Sequence, residues 1–330
     1  MKKARNILFA LVFLLPALMH AQGHGIPLSF TYLFFASDTS TVHGGSARIR
    51  MNTFYGFAAG TMGDVEKPET SQKFTNYNRL GFSFTIDRQL IKNIFVGFTI
   101  PYLQSNIERL PGLYPGGNYT WQGVSEVRLR LGFEYKSKSK LWTILLHSGI
   151  PVDKGREGFF RPEVYIGHDG TWNIGLDYSL TWFLSNKFRF QLSSEAMMRI
   201  PKSGMIISGE PALIWTGNQV NAIQATINLR DYVTACAGIV YLQQPWTYTL
   251  AWESYYETAD NAYGYSPAGL TQMEAFVQHE LEHDALVHSV NVGLTRDFQK
   301  LHFGLYGRIP VDGYTAFREN MIMFVFGFNF

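Results

Sequence analysis

The feature that most constrains this chain is a strict alternation of apolar and polar residues in many short segments. From Val127 to Tyr135 every second residue is apolar, and the residues between them are mostly charged. The stretch from Trp172 to Trp182 repeats the pattern, with small polar residues and one aspartate between its apolar residues. A period of two places successive side chains on opposite faces of a β-strand. We therefore expect strands that have one apolar face and one polar face.

These segments recur along the whole chain and are joined by connections of unequal length. The strands are expected near 45–58, 76–86, 93–106, 123–136, 140–152, 172–184, 187–200, 217–229, 232–245, 285–296, 301–311 and 319–330. Short polar turns alternate with long segments, the longest of which is 246–284. Outer-membrane barrels have this arrangement, with short periplasmic turns and longer extracellular loops. We predict an all-β, transmembrane, antiparallel, up-and-down β-barrel over residues 45–330, with about twelve strands and a range of 10–14.

The composition fits such a barrel and excludes several other classes. Hydrophobic residues make up 46% of the 330, aromatic residues 15% and charged residues 16%, and the mean hydropathy is −0.06. Soluble domains carry about 25% charged residues. A disordered chain, a coiled coil and a polytopic helical membrane protein are excluded. In a barrel, the outward face meets lipid, the inward face is polar, and every backbone group is paired.

The N-terminal residues have the pattern of a signal peptide for export from the cytoplasm. Lys2, Lys3 and Arg5 precede an apolar run over 7–18, which is too short to span a bilayer. We expect residues 1–21 to be a cleaved signal peptide and residues 22–44 to be an N-terminal segment in the periplasm or the lumen. Removing three of the 28 basic residues leaves 25 against 26 acidic ones, so no nucleic-acid partner is expected.

The last ten residues place aromatic side chains on one strand face, where Phe326, Phe328 and Phe330 follow each other at every second position. This pattern resembles the assembly signal of bacterial outer-membrane barrels, which implies docking to the barrel-assembly machinery. The other interpretation is a hydrophobic edge strand of a soluble sandwich, which would be prone to aggregate if left exposed.

The polar partners of the apolar face are the expected lining of the lumen. The candidates are Arg48, Arg50, Arg79, Glu126, Arg128, Arg130, Glu134, Asp177, Arg189, Glu195, Arg230 and Arg308. Two interpretations stay open. Either the excess of arginine forms a path that favours anions or polar solutes, or arginine–carboxylate pairs fill and rigidify a narrow barrel.

One motif points to metal chemistry. His279 and His283 fit the H-E-x-x-H pattern, with His288 following. In a helix, histidines four residues apart share one face and can bind zinc. The motif lies at the end of the longest expected loop, where a solvated loop helix is the alternative. No resident cofactor is expected.

Residues 123–135, with the sequence Gly-Val-Ser-Glu-Val-Arg-Leu-Arg-Leu-Gly-Phe-Glu-Tyr, resemble a strand of the meta-pathway phenol-degradation family of outer-membrane proteins. The segments 100–102 and 149–155 are similar to the neighbouring parts of that family. Glu126 stands where the family often has aspartate, and the family's Thr-Gly pair is Val152 and Asp153 here. The resemblance covers about residues 95–155 and implies a transporter for small, often apolar or aromatic, molecules.

Three functions follow from these observations. The first is a passive outer-membrane channel for small solutes, hydrophobic or aromatic ones among them. The second is a barrel hydrolase, whose serine, histidine and carboxylate would meet at the outer rim. The third is a structural or adhesive barrel that binds partners through the aromatic residues of 246–284.

Overall fold

The computed structural model describes eleven stretches of the chain. They are 47–58, 74–109, 118–124, 126–152, 172–208, 221–228, 231–258, 261–263, 284–298, 300–314 and 319–330. The expected signal peptide and the segment 22–44 lie outside the described residues, as do His279 and His283. Among the described residues, no helix is long and apolar enough to cross a membrane.

The described residues form sixteen β-segments. They are β1 (Ala47–Ala58), β2 (Phe74–Ile91), β3 (Ile94–Arg109), β4 (Asn118–Val124), β5 (Glu126–Lys136), β6 (Lys140–Pro151), β7 (Asn173–Phe183), β8 (Phe188–Arg199), β9 (Lys202–Ser208), β10 (Asn221–Asn228), β11 (Tyr232–Gln243), β12 (Trp246–Glu257), β13 (Asn261–Tyr263), β14 (Ala285–Phe298), β15 (Leu301–Tyr314) and β16 (Asn320–Asn329). β4 and β5 pair successively with β3, so they are two parts of one barrel strand.

The sheet closes on itself. Each barrel strand pairs in an antiparallel way with the next one along the ring, and β1 pairs with both β2 and β16. The ring contains twelve strands when β4 and β5 are counted as one. The predicted all-β, antiparallel, up-and-down barrel of about twelve strands is therefore confirmed.

One of the twelve strands differs from the sequence-based assignment. The segment expected at 217–229 is extended over Asn221–Asn228, but it pairs with β9 and β13 in a separate three-stranded sheet. β8 pairs directly with β11, and the twelfth strand of the ring is β12, which lies between β11 and β14 within the expected longest loop. The alternation in β12 is hard to recognise because Tyr255 faces inward and Ser254 outward, against the expected polarity.

The connections alternate in length around the ring, as predicted. Short turns join β2 to β3, β5 to β6, β7 to β8, β11 to β12 and β14 to β15. Long connections leave the other end of the barrel. The first and last barrel strands start and finish at the short-turn end, where the Phe330 N–H donates a hydrogen bond to the Ala47 carbonyl at 3.0 Å.

Burial alternates along each strand and separates the two faces. In β5, Glu126, Arg128 and Arg130 are buried, whereas Leu129 and Leu131 are about half exposed. A closed barrel leaves an outer surface for lipid and an inner one for the lumen. The exposed apolar side chains therefore form the outer surface, and the buried polar side chains line the interior.

Candidate functional site in the barrel interior

Most of the candidate lumen residues lie on the inner face and are buried. The residues with less than one tenth of their surface exposed are Arg48, Arg50, Arg79, Glu126, Arg128, Arg130, Asp177, Glu195 and Arg308. Glu134 and Arg189 are partly buried. Arg230 lies outside the described residues.

Near the short-turn end, one carboxylate binds two arginines. Arg48 on β1 donates to Asp87 Oδ2 through Nη2 at 2.7 Å and through Nε at 3.2 Å. Arg130 on β5 donates to Asp87 Oδ1 at 2.8 Å, across the intervening strand β3. Gly97 on β3 permits this reach, because a Cβ there would clash with the Asp87 carboxylate. The group fixes four neighbouring strands at one level.

Nearer the long-loop end, Glu126 is the shared acceptor. It binds Arg128 on its own strand and the side-chain amide of Asn173 on β7. The Asn173 side chain also accepts a hydrogen bond from the Gly149 N–H at 3.0 Å. Adding a Cβ at Gly149 would push into both Asn173 and Glu126. Glycine at this inward position thus makes room for the polar side chains of neighbouring strands.

A third polar cluster lies on the inner face of β12, β14 and β15. The Nε atom of Arg308 on β15 is 3.0 Å from Glu253 Oε1 on β12. Asn291 on the strand between them donates to Glu253 Oε2 at 3.1 Å. This third cluster again crosses three strands.

Buried acidic side chains balance the buried arginines on the inner face of the barrel. The alternation predicts Glu126, Glu134, Asp177 and Glu195 as the acidic residues of the lumen, and the structure adds further buried carboxylates. These are Asp87, assigned to a turn, Glu253 and Glu257, assigned to a loop, and Glu319, which precedes β16. Each nine-tenths-buried arginine that pairs with a carboxylate is thus neutralised locally, so these described residues form ion pairs in the barrel wall.

A histidine and two carboxylates meet on β6, β7 and β8. His147 Nε2 lies 3.2 Å from Asp177 Oδ1 and 3.7 Å from Glu195 Oε1. Asp177 and Glu195 face each other directly in the register of β7 and β8. Tyr232 on β11 donates its hydroxyl to Glu195 Oε1 at 2.5 Å. All three members of the cluster are buried.

The interior also carries two apolar patches. We call the first the inner apolar patch, formed by Phe54, Leu103, Cys236, Ala251, Tyr306, Met321, Met323 and Val325. The second, the rim patch, is formed by Met197, Tyr232, Tyr255, Ala285 and Val287 at the long-loop ends of four strands. Sequence reasoning missed both, because it assigned apolar residues to the lipid face.

Of the three histidines of the motif, the structure describes only His288, because His279 and His283 lie outside the described residues. His288 lies in β14, on the outer surface, where its Nδ1 is 2.9 Å from Ser254 Oγ and its ring stacks on Trp252 at 5.6 Å. Asp284, which follows the motif, accepts a hydrogen bond from the Tyr256 hydroxyl at 2.8 Å. His147, on β6, faces the lumen carboxylates Asp177 and Glu195.

The aromatic residues of β16 lie on one face, as the alternation predicts. Phe324 is 61% exposed and Phe330 is 48% exposed. The rings of Phe328 and Phe330 meet edge to face at 5.0 Å, and Phe326 contacts Phe303 in the same manner at 5.2 Å. This aromatic face belongs to the outer surface at the seam between β16 and its neighbours.

No protein-family model matches this sequence, and no curated protein matches it. Among solved structures, an outer-membrane channel from Pseudomonas putida F1 is similar, with a TM-score of 0.63 and 10% identity, over 89% of this chain and 98% of that one. The translocator domain of the autotransporter NalP from Neisseria meningitidis has a TM-score of 0.39 and 10% identity, over 89% and 91% of the two chains. The toluene transporter TodX from Pseudomonas putida has a TM-score of 0.42 and 8% identity, over 88% and 90%.

The first of these similarities bears on the fold. The ring of twelve strands, its apolar outer surface and the likeness to the channel from Pseudomonas putida F1 define the class: the chain is an outer-membrane-type β-barrel. The resemblance to the phenol-degradation family implied a channel of this kind, and the structural comparison agrees with it at the level of the fold. The other two similarities are too low to add to this conclusion.

Proposed function

We propose that this protein is an outer-membrane channel through which small hydrophobic or aromatic molecules pass without an energy source. The observation that carries the proposal is the pair of apolar patches on the inner face of a closed barrel, beside clusters of buried charged side chains. If side chains only had to fill the interior, arginine–carboxylate pairs could occupy all of it, and apolar patches would not be needed. The similar fold of a bacterial outer-membrane channel supports the same function.

The placement of the patches supports an apolar solute. The rim patch lies at the long-loop ends of its strands, with Met197 near the end of β8 and Tyr232 at the start of β11. The inner apolar patch continues inward, where Tyr306 and Met323 are paired neighbours on β15 and β16. Methionine side chains are flexible and polarizable, so they adapt to aromatic ligands of different shape. The inner wall is thus built from apolar side chains at both levels, as an aromatic solute would require.

The proposal is tested by solute influx into vesicles whose outer leaflet contains lipopolysaccharide. The purified protein is reconstituted, and the uptake of labelled toluene and labelled arabinose is compared with that of empty vesicles. We expect faster influx of toluene and a much smaller change for arabinose. Equal rates with and without the protein for both solutes would contradict a channel, and selective passage of arabinose would contradict an apolar path.

We further propose that the chain reaches the outer membrane through a cleaved signal peptide and the barrel-assembly machinery. The basic and apolar residues of 1–21 support export. The aromatic face of β16, with Phe326, Phe328 and Phe330, supports docking to the assembly machinery. Outer-membrane lipid would then cover the exposed apolar surface.

This assembly proposal is tested by replacing Phe328 and Phe330 with alanine. We expect a reduced amount of barrel in the outer membrane of cells, whereas refolding of the purified variant into detergent stays unchanged. Replacing Phe303, an exposed aromatic on β15, is the matched control. If both variants reach the membrane like the parent chain, the β16 face is not an assembly signal.

A further inference from the structure

We propose that His147, Asp177 and Glu195 form a binding site for a first-row divalent metal ion, with Zn²⁺ as its best representative, in the wall of the lumen. The three side chains come from the adjacent strands β6, β7 and β8, and their ligand atoms all lie within 4.8 Å of one another. This site is distinct from the H-E-x-x-H motif and does not depend on the proposed channel function.

The distances suit a small ion. Zinc binds histidine nitrogen and carboxylate oxygen at about 2.0–2.2 Å, so neighbouring ligands of a tetrahedral site lie roughly 3.3–3.5 Å apart. His147 Nε2 is 3.2 Å from Asp177 Oδ1 and 3.7 Å from Glu195 Oε1. These values bracket the separation that a tetrahedral zinc ion requires. A calcium ion would demand more oxygen ligands at longer distances.

Two polar atoms of the cluster have no hydrogen-bond partner among the described residues. Glu195 is 1% exposed, and its Oε2 has no hydrogen-bond partner in the described structure. The side chain of His147 is 3% exposed, and its Nδ1 is likewise without a partner. A buried carboxylate oxygen without a partner is costly. A nine-tenths-buried carboxylate with one unpartnered oxygen, beside two other metal-ligating groups, points to a bound cation.

Charge gives a second reason for a cation. Asp177 and Glu195 are opposite each other in the sheet, and two buried carboxylates at this distance repel each other when both are ionised. Arg128 interacts with Glu195, but its guanidinium also binds Glu126. A divalent ion would neutralise both carboxylates at once. The Tyr232 hydroxyl, which donates to Glu195 Oε1, would then orient a ligand from the second layer.

The absence of a side chain at Gly175 leaves room for the imidazole ring of His147. Gly175 on β7 is the paired neighbour of His147, and a Cβ at this position would clash with the imidazole. The ring therefore lies over the backbone of β7, on the side of Asp177. Replacement of this glycine by alanine would displace the ring and should weaken metal binding without removing a ligand.

The experiment measures metal binding by the purified, refolded barrel after treatment with a chelator. All proteins carry His279→Ala and His283→Ala, so that the loop histidines contribute nothing. Zn²⁺ affinity is measured by competition with a chromogenic chelator, and Co²⁺ is used as a spectroscopic probe of tetrahedral geometry. Asp177→Asn and Glu195→Gln keep the shape of each side chain and remove its charge. Heat-modifiable migration in gels verifies that every variant is folded.

We expect the parent barrel to bind one Zn²⁺ and to give the intense visible absorption of tetrahedral Co²⁺. Asp177→Asn and Glu195→Gln should each weaken binding by more than tenfold, and Tyr232→Phe should weaken it by about tenfold. The matched control is Asp297→Asn, because Asp297 pairs with His302 at 2.6 Å as a single carboxylate. This variant should bind zinc like the parent.

Two results would overturn the proposal. One is a parent barrel that binds no zinc, in which case the carboxylates are held together by a shared proton and by His147. The other is zinc binding that persists unchanged in both Asp177→Asn and Glu195→Gln, which would place the ion elsewhere. Failure of solute influx would leave this outcome unaffected, because the binding assay does not require a functioning channel.

Discussion

Arg79 on β2 donates two hydrogen bonds to the carboxylate of Glu319, at 2.8 and 2.5 Å, across the strand β1 that lies between them. The two residues are 240 positions apart, and both are buried. The pair spans the seam where the last barrel strand meets the first. Gly56 on β1 lies beneath the Glu319 side chain, and a Cβ there would clash with it.

Gly56→Ala should therefore destabilise the closed barrel. Glu319 cannot move away without breaking its bonds to Arg79, so we expect a loss of about 1–3 kcal/mol, typical of overpacking. Gly307→Ala is the control, because its Cβ would meet Val292 at an ordinary 3.4 Å. Urea unfolding of the barrel in lipid vesicles measures both. Equal stability of the two variants would show that the seam tolerates the extra methyl group.

Asp87→Asn should destabilise the barrel strongly, because it removes the carboxylate that both Arg48 and Arg130 bind in the interior. Breaking a buried ion pair from one side costs about 3–5 kcal/mol. Removing one of the two arginines as well, in Asp87→Asn with Arg130→Met, should recover part of this loss. The unfolding midpoints of the single and double variants are compared. A double variant that is less stable than Asp87→Asn would contradict the charge explanation.

Met323→Lys should slow the influx of toluene into vesicles, because it introduces a charge into the inner apolar patch. Met323→Leu keeps the volume and the apolar character and should preserve the rate. The two variants are compared at equal amounts of folded barrel. A lysine variant that passes toluene like the parent would place the solute path away from this patch.

Phe324→Arg tests the lipid-facing surface. Phe324 is 61% exposed near the middle of β16, and an arginine there should cost about 2–4 kcal/mol in a bilayer. Leu90, which is 59% exposed beside the short turn after β2, is the matched position. Leu90→Arg should cost only about 0–1 kcal/mol, because it lies near the interface. Similar losses at both positions would contradict the assigned membrane level.

The sequence predicted the faces of the strands better than their partners. Alternation placed Arg128 and Asp177 on the inner face because a period of two depends only on the local backbone. The same signal in 221–228 correctly indicates an extended segment, yet nothing in it indicates pairing with β9 rather than with β11. Pairing depends on contacts between distant parts of the chain.

The clusters were less predictable for the same reason. The sequence predicts a strand end at residue 86 and a turn at Asp87, whereas β2 runs on to Ile91 and places Asp87 on the inner face. Glu253 lies in β12, all of which falls within the expected loop 246–284. Neither the pairing of Arg79 with Glu319 nor the meeting of His147 with Glu195 follows from spacing, since each joins separate strands. The inward glycines are visible in the sequence, but their role appears only with the side chains that cover them.

The hydrogen bond from Phe330 to Ala47 has a consequence for protein engineering. β1 and β16 pair over ten positions, so the ring is continuous across the point where the barrel segment begins and ends. Neighbouring ends favour circular permutation. A short linker from residue 330 to residue 47, with new termini in the long connection between β6 and β7, should yield the same twelve-stranded ring. The order in which the strands are synthesised would then change while their neighbours stay the same.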